Sequence, residues 1–134
     1  MRSLSLALVA SLLAVPAHSA LPAKSGDMQL DRCLAHSPRT AVGVSHVLDC
    51  YRAAQLRIDT ALAAERRVIV AKLRADRASQ ATLTAGEAAW AGYRDKWCAF
   101  EATAERDPGS REATGLECRV ELSQAHLTRL KDAY

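Results

Sequence analysis

The sequence predicts an all-α protein, a small antiparallel bundle of helical hairpins with one long helix, stapled by two disulfides. The longest helical stretch, from Ser45 to about Ala78, has no proline or glycine and is rich in the strong helix formers alanine, leucine and arginine. Further along, apolar residues recur at steps of three and four, which places them on one helical face. β-branched residues never alternate with polar ones over a useful length, so no strand is predicted.

The first 20 residues are typical of a secretory signal peptide. Arg2 supplies a positive start, the segment from Leu4 to Val15 is apolar, and small residues lead up to Ala20. The apolar segment is shorter than the roughly 20 residues that a membrane-spanning helix requires. We therefore expect residues 1–20 to be removed on export. Residues 21–134 would then form a single helical domain, periplasmic or secreted, with no membrane span in the mature form.

Charge and motifs argue against several functional classes. The chain has 18 basic and 15 acidic residues, interspersed along its length, so no clustered basic face indicates nucleic-acid binding. It contains no glycine-rich phosphate loop and no nucleophile elbow, and His36, His46 and His126 stand in no catalytic motif. We therefore expect neither an enzyme nor a bound cofactor.

The first half of the chain predicts a helical hairpin. Asp27 is placed to cap a short helix that runs through Cys33. Pro38 and Gly43 disfavour helix interiors, so they predict a turn before the long helix. The stretch 78–83 is the predicted break between the long helix and the next one.

The second half predicts another hairpin. Thr84 and Glu87 fit a capping box at the start of its first helix. Residues 107–111 have the composition of a turn, and a last helix follows over about 112–132. An aromatic stripe on the first of these helices is expected to form the centre of the core, and its members are Trp90, Tyr93, Trp97, Phe100 and Ala104.

The positions of the four cysteines predict how they pair, although four cysteines allow three connectivities. In an antiparallel hairpin, residues equidistant from the turn lie opposite each other. Cys98 and Cys118 stand ten positions either side of Pro108, and Cys33 and Cys50 stand eight and nine positions from the first turn. The predicted disulfides are therefore Cys33–Cys50 and Cys98–Cys118. The cysteines lack the close C-x₂₋₄-C spacing of structural zinc sites, so we expect no metal.

One segment, W-x-x-Y-R-D-x-x-C, resembles the LprI-type lysozyme inhibitor family of small exported bacterial proteins with paired cysteines. Its matching residues are Trp90, Tyr93, Arg94, Asp95 and Cys98. The matching positions elsewhere are Cys33, Cys50, Asp59, Cys118 and Leu130. The chain departs from the family pattern at Glu87, where the family tends to have Gln, and at Ser123 and His126, where Thr and Arg are expected.

The resemblance implies a protein that binds and inhibits a lysozyme-type muramidase, so the expected partner is a protein. The cleft of such an enzyme contains two carboxylates, which a basic or hydroxyl group on a rigid hairpin tip would suit. The candidate contact residues are Ser110 and Arg111 at one tip and Arg39 at the other. Animal lysozymes are strongly basic as a class. The net charge of +3 falls to +2 when Arg2 is removed, which gives no long-range attraction to such a partner.

The alternative is a periplasmic helical protein-interaction or stress protein that does not inhibit lysozyme. Its contact surface would be the long helix, whose outer face carries arginines such as Arg52, Arg66 and Arg74. A lysis assay with several lysozyme types distinguishes the two hypotheses, because only the first predicts inhibition.

Overall fold

The computed structural model describes residues 26–38 and 41–134, and every regular element in these ranges is an α-helix. In chain order they are α1 (Met28–Ala35), α2 (Ala41–Lys72), α3 (Arg77–Ala102) and α4 (Pro108–Ala133). The predicted all-α fold is confirmed. The predicted signal peptide and Arg39 lie outside the described residues. None of the described helices combines the length and the apolar character needed to cross a membrane.

Aspartates cap three of these helices. Each accepts a backbone N–H hydrogen bond from the first turn of its helix, at 2.8 Å for Asp27, 3.0 Å for Asp76 and 2.8 Å for Asp107. Asp27 is the cap that the sequence predicts. Pro108, directly after Asp107, suits the first helical position because it lacks an N–H that would have no partner there.

The connection between α2 and α3 lies earlier in the chain than the sequence indicates. The predicted break at 78–83 is wrong, because α2 ends at Lys72 and α3 begins at Arg77. Asp76 supplies the cap. The predicted capping box at Thr84 lies inside α3, where the threonine hydroxyl donates to a carbonyl one turn earlier. Neither proline nor glycine marks the true connection, so Asp76 is its main local signal.

Helix α4 lies at the centre of the fold. It packs against α2 along one face and against α3 along another, while α1 packs against α2. Helices α2 and α3 share no comparable interface within the described residues. The core is formed mainly by α1, α2 and α4 and contains Leu30, Cys50, Tyr51, Ala54, Ile58, Leu62, Ile69, Val120, Leu127 and Leu130.

Both predicted disulfides are confirmed. Cys33–Cys50 joins α1 to α2 with its Cα atoms 5.7 Å apart, and Cys98–Cys118 joins α3 to α4 with its Cα atoms 5.5 Å apart. Both distances are usual for a disulfide. Each helical hairpin is therefore stapled once.

The predicted aromatic core is wrong for four of its five members, since Ala104 is exposed and lies beyond the end of α3. Tyr93 is 54% exposed, Trp97 41% and Phe100 65%. The buried residues of α3 include Cys98 and Ala102, which lie on the face that α4 covers. At 3.6 residues per turn, each of the three aromatic residues stands at least about 100° from Cys98 around the helix. The aromatic residues do share a face, but α4 covers a different one.

Candidate functional site

Residues that carry the family resemblance meet around Arg94, in a group that we call the motif cluster. Arg94 Nη1 lies 3.4 Å from Asp59 Oδ1 on α2 and 3.2 Å from Ser123 Oγ on α4. Its Nε donates to Asp95 Oδ1 at 3.1 Å. Its guanidinium carbon lies 5.1 Å from the centre of the Trp90 ring. The largely buried side chain of Arg94 thus links all three long helices.

Two further residues complete the motif cluster. Gln55 Nε2 donates to Asp59 Oδ1 at 2.8 Å and to Ser123 Oγ at 3.3 Å. Arg119 Nε lies 3.7 Å from Asp95 Oδ1, close enough for an ion pair. Asp59 and Asp95 therefore both face a guanidinium, and the arrangement stabilises the contacts between helices.

A second polar group adjoins the motif cluster through Trp90. The Trp90 ring stacks on the His126 ring, with centroids 3.9 Å apart and planes 12° from parallel. His126 Nε2 lies 2.7 Å from Glu87 Oε1, and Arg66 Nε lies 3.8 Å from Glu87 Oε2. Glu87 and His126, two of the chain's departures from the family pattern, are therefore in direct contact with each other.

Apart from the four disulfide-bonded cysteines, two of the residues that carry the resemblance lie outside the motif cluster. Tyr93 is exposed, with its ring centre 6.1 Å from that of Trp97. Leu130 is buried in the core. The sequence could not show that Tyr93 is exposed and Leu130 is buried, because each residue belongs to an apolar repeat on its helix.

The two predicted hairpin tips lie at the same end of the molecule, which we call the tip end. A cavity of about 340 Å³ lies between them, lined by Pro38, Gly43, Val44, Val47, Gly109, Ser110 and Ala113. The approach is close, since a Cβ added to Gly109 would lie 3.1 Å from Val44 Cγ1. Gly43 belongs to the first turn of α2, so the predicted turn ends earlier than expected.

The two described contact candidates make local hydrogen bonds at the tip end. Arg111 Nε and Nη2 donate to the Glu105 carbonyl at 3.2 and 2.9 Å. The Ser110 backbone N–H donates to the Asp107 carboxylate at 2.8 Å, and this bond together with one from the Ser110 hydroxyl lowers the pKa of Asp107. Arg111 remains exposed and lines a second cavity, of about 240 Å³, beside Cys98. It is an oriented cation close to a disulfide.

Cys33, His46 and Cys50 bring possible metal-binding atoms within 4.8 Å of one another. Both sulfurs belong to the Cys33–Cys50 disulfide, so neither is the thiolate that zinc requires. His46 Nε2 lies 3.3 Å from the Cys33 carbonyl oxygen. The group is therefore part of the staple between α1 and α2.

Sequence reasoning identified the residues of the resemblance but missed Gln55, Arg66 and Arg119 as their partners. A polar residue on a helix rich in alanine and arginine gives no sign of whether it faces water or another helix. Arg66 pairs with Glu87, and only the assembled helices show that this carboxylate is buried and requires a partner.

The fold and the motif cluster define a small all-α bundle in which disulfides and ion pairs hold the helices together. The family described as Lysozyme inhibitor LprI matches residues 33–130, from the first cysteine to Leu130. The chain belongs to this family, and the predicted resemblance is confirmed. No curated protein and no solved structure matches the chain.

Proposed function

We propose that this protein is exported and that it binds and inhibits a lysozyme-type muramidase. Membership of the family described as Lysozyme inhibitor LprI carries the proposal. Two disulfides support export, because disulfides persist in oxidising compartments outside the cytoplasm. Cleavage of residues 1–20 as a signal peptide, with delivery to the periplasm or the exterior, is part of the same proposal.

The tip end is the proposed contact with the enzyme's cleft. A muramidase cleft of this type contains two carboxylates, and a guanidinium matches a carboxylate in charge and geometry. The Glu105 carbonyl already orients the Arg111 side chain, so binding would immobilise few additional bonds. Ser110 adjoins Arg111 on the same tip, and Arg39 would act from the other tip.

A lysis assay with purified residues 21–134 tests this function. We expect the protein to slow the lysis of bacterial cell walls by at least one lysozyme type. Arg111→Glu should raise the concentration needed for half inhibition by about tenfold or more, because it places a negative charge against the cleft carboxylates; tenfold corresponds to about 1.4 kcal/mol. Arg39→Glu should act in the same direction.

Arg67→Glu is the matched control. It makes the same charge change at an exposed position of α2, away from the tip end. It should inhibit as the unchanged protein does. Absence of inhibition at a large molar excess over several lysozyme types would refute the proposed function. Full inhibition by both tip variants would refute the tip end as the contact.

Exposed apolar residues on α2 favour one alternative, an envelope protein that binds another protein partner through its long helix. They include Leu56, Val68 and Val70. This alternative predicts no effect on lysis by any lysozyme.

A further inference from the structure

Three consecutive aromatic side chains of α3 form an open surface, which we call the aromatic face. They are Tyr93, Trp97 and Phe100, half of the six aromatic residues in the whole sequence. The Trp97 ring lies between the other two, with ring centres 6.1 Å from Tyr93 and 5.7 Å from Phe100. Exposed aromatic side chains grouped in this way mark interaction surfaces more often than solitary ones do.

The aromatic face is ordered before any partner arrives. Trp97 Nε1 donates to Glu101 Oε1 at 2.7 Å, which fixes the orientation of the indole. All three rings project from one continuous helix and contact their neighbours. Little side-chain entropy remains to be lost when such a surface binds, and aromatic anchors of this kind dominate the binding energy of many interfaces.

Carboxylates border the aromatic face on its α4 side. Glu101 accepts from Trp97, and Glu121 on α4 is close enough to interact electrostatically with both Glu101 and Glu117. Partial burial and then these two neighbouring carboxylates raise the pKa of Glu121. We call Glu101 and Glu121 the acidic rim; Glu117 accepts a hydrogen bond from Tyr51 on α2 and is not part of it. Like charges crowded together are unfavourable in the free protein, and a cationic partner would relieve that repulsion.

The aromatic face leads toward the tip end. Tyr93 and Phe100 are seven residues apart, about 10 Å along the helix. Phe100 lies in the last turn of α3, shortly before the connection that leads into the tip at Pro108. A partner held at the tip end could therefore also reach the aromatic face.

We propose that the aromatic face and the acidic rim form a docking surface for a basic region of the muramidase. This inference rests on the proposed function. Aromatic anchors would pack against apolar parts of the enzyme, and the rim would face its lysines and arginines. The net positive charge of the chain gives no long-range attraction to a basic enzyme, but the local charge of this surface has the complementary sign. A second copy of this chain fits less well, because two acidic rims would meet.

Titration calorimetry with a basic animal lysozyme tests this surface. The double variant Trp97→Ala with Phe100→Ala should bind at least tenfold more weakly than the unchanged mature protein. Met28→Ala is the matched control, because it truncates a 73% exposed apolar residue on α1 and should leave the affinity within twofold. Thermal melting confirms that each variant is folded.

A second variant, Glu101→Gln with Glu121→Gln, keeps the aromatic rings and removes two charges. Its affinity should be lower at low salt and should depend less on salt concentration than that of the unchanged protein. Retained affinity in the double aromatic variant, while the unchanged protein binds and inhibits, would overturn the docking surface and leave the proposed function intact. A mature protein that binds no lysozyme would overturn both. A dimer in light scattering that the aromatic variant abolishes would assign the face to a second copy, against this proposal.

Discussion

Glu87 brings a carboxylate into the interface between α3 and α4, where the residue is only 8% exposed. Burying a charge costs several kcal/mol unless a partner compensates for it. His126 lies opposite at 2.7 Å, and Arg66 approaches from α2 at 3.8 Å. Glu87 and His126 both stand where the family pattern leads us to expect other residues, and together they make a polar contact between α3 and α4.

A double-mutant cycle measures this pair. His126→Phe keeps an aromatic ring against Trp90 but removes the partner of Glu87, so it should destabilise the protein by about 1–3 kcal/mol. The loss should be smaller in a Glu87→Gln background, because a neutral amide is less costly to leave without that partner. Urea unfolding should give a coupling energy of about 1 kcal/mol. Additivity within about 0.5 kcal/mol would show that the two side chains act independently.

Helix α3 is attached to the rest of the bundle mainly through α4, with two ion pairs to α2, Arg94–Asp59 and Arg66–Glu87. Its main attachments are the Cys98–Cys118 disulfide and the motif cluster around Arg94. Helix α2, in contrast, contacts both α1 and α4 and supplies much of the core. The hairpin that carries the aromatic face therefore depends more strongly on its disulfide than helix α2 does.

Removal of the second bridge should loosen α3 selectively. Cys98→Ala with Cys118→Ala should lower the free energy of unfolding by about 3 kcal/mol, the value expected for a closed loop of roughly 20 residues. Hydrogen exchange should accelerate more in α3 than in α2, because α2 retains its own packing. Cys33→Ala with Cys50→Ala is the matched comparison and should loosen α1 instead. Equal acceleration in all four helices in both variants would contradict this difference.

The stability of the whole molecule should depend on pH through the aspartates that cap its helices. Burial alone would raise the pKa of Asp27, but hydrogen bonds from Arg57 and from α1 backbone N–H groups outweigh it and lower that pKa. Hydrogen bonds from the first turns of α3 and α4 lower the pKa values of Asp76 and Asp107. Groups of this kind stabilise the folded state above the ordinary Asp pKa of about 3.9, and the stabilisation is lost as the pH falls through the lowered value.

Thermal melts between pH 7 and pH 2.5 check this dependence. The melting temperature should fall across the acid range, and Asp107→Asn should reduce the slope because asparagine can cap without titrating.

Glu121 should affect stability in the opposite direction, because its pKa is raised and its charged form therefore destabilises the folded state. Glu121→Gln should therefore raise the melting temperature at pH 7, with a gain that shrinks near pH 3. Equal slopes in all three proteins would indicate that other carboxylates control acid unfolding.

Much of the helical framework could be derived from the residues alone. The Asp27 cap and the absence of predicted strands follow from local composition. The two disulfide pairs follow from equal spacing on either side of a turn, which any antiparallel hairpin imposes. The position of the α2–α3 connection could not be derived in this way, because Asp76 and Thr84 are both acceptable caps and only packing selects between them.

The residues alone also indicated the family, which the family comparison confirmed, and they grouped the members of each helical face. Which face becomes buried depends on the neighbour that covers it. The spacing of Tyr93, Trp97 and Phe100 places them on one helix face, and this is compatible with a buried face or an exposed one. Three relations emerged only when the helices were assembled: the outward position of the aromatic face, the contact between Glu87 and His126, and the meeting of the two tips. All three relations involve residues that are distant in the sequence or on different helices. Local helix propensity cannot determine such relations, so they depend on how α4 packs between α2 and α3.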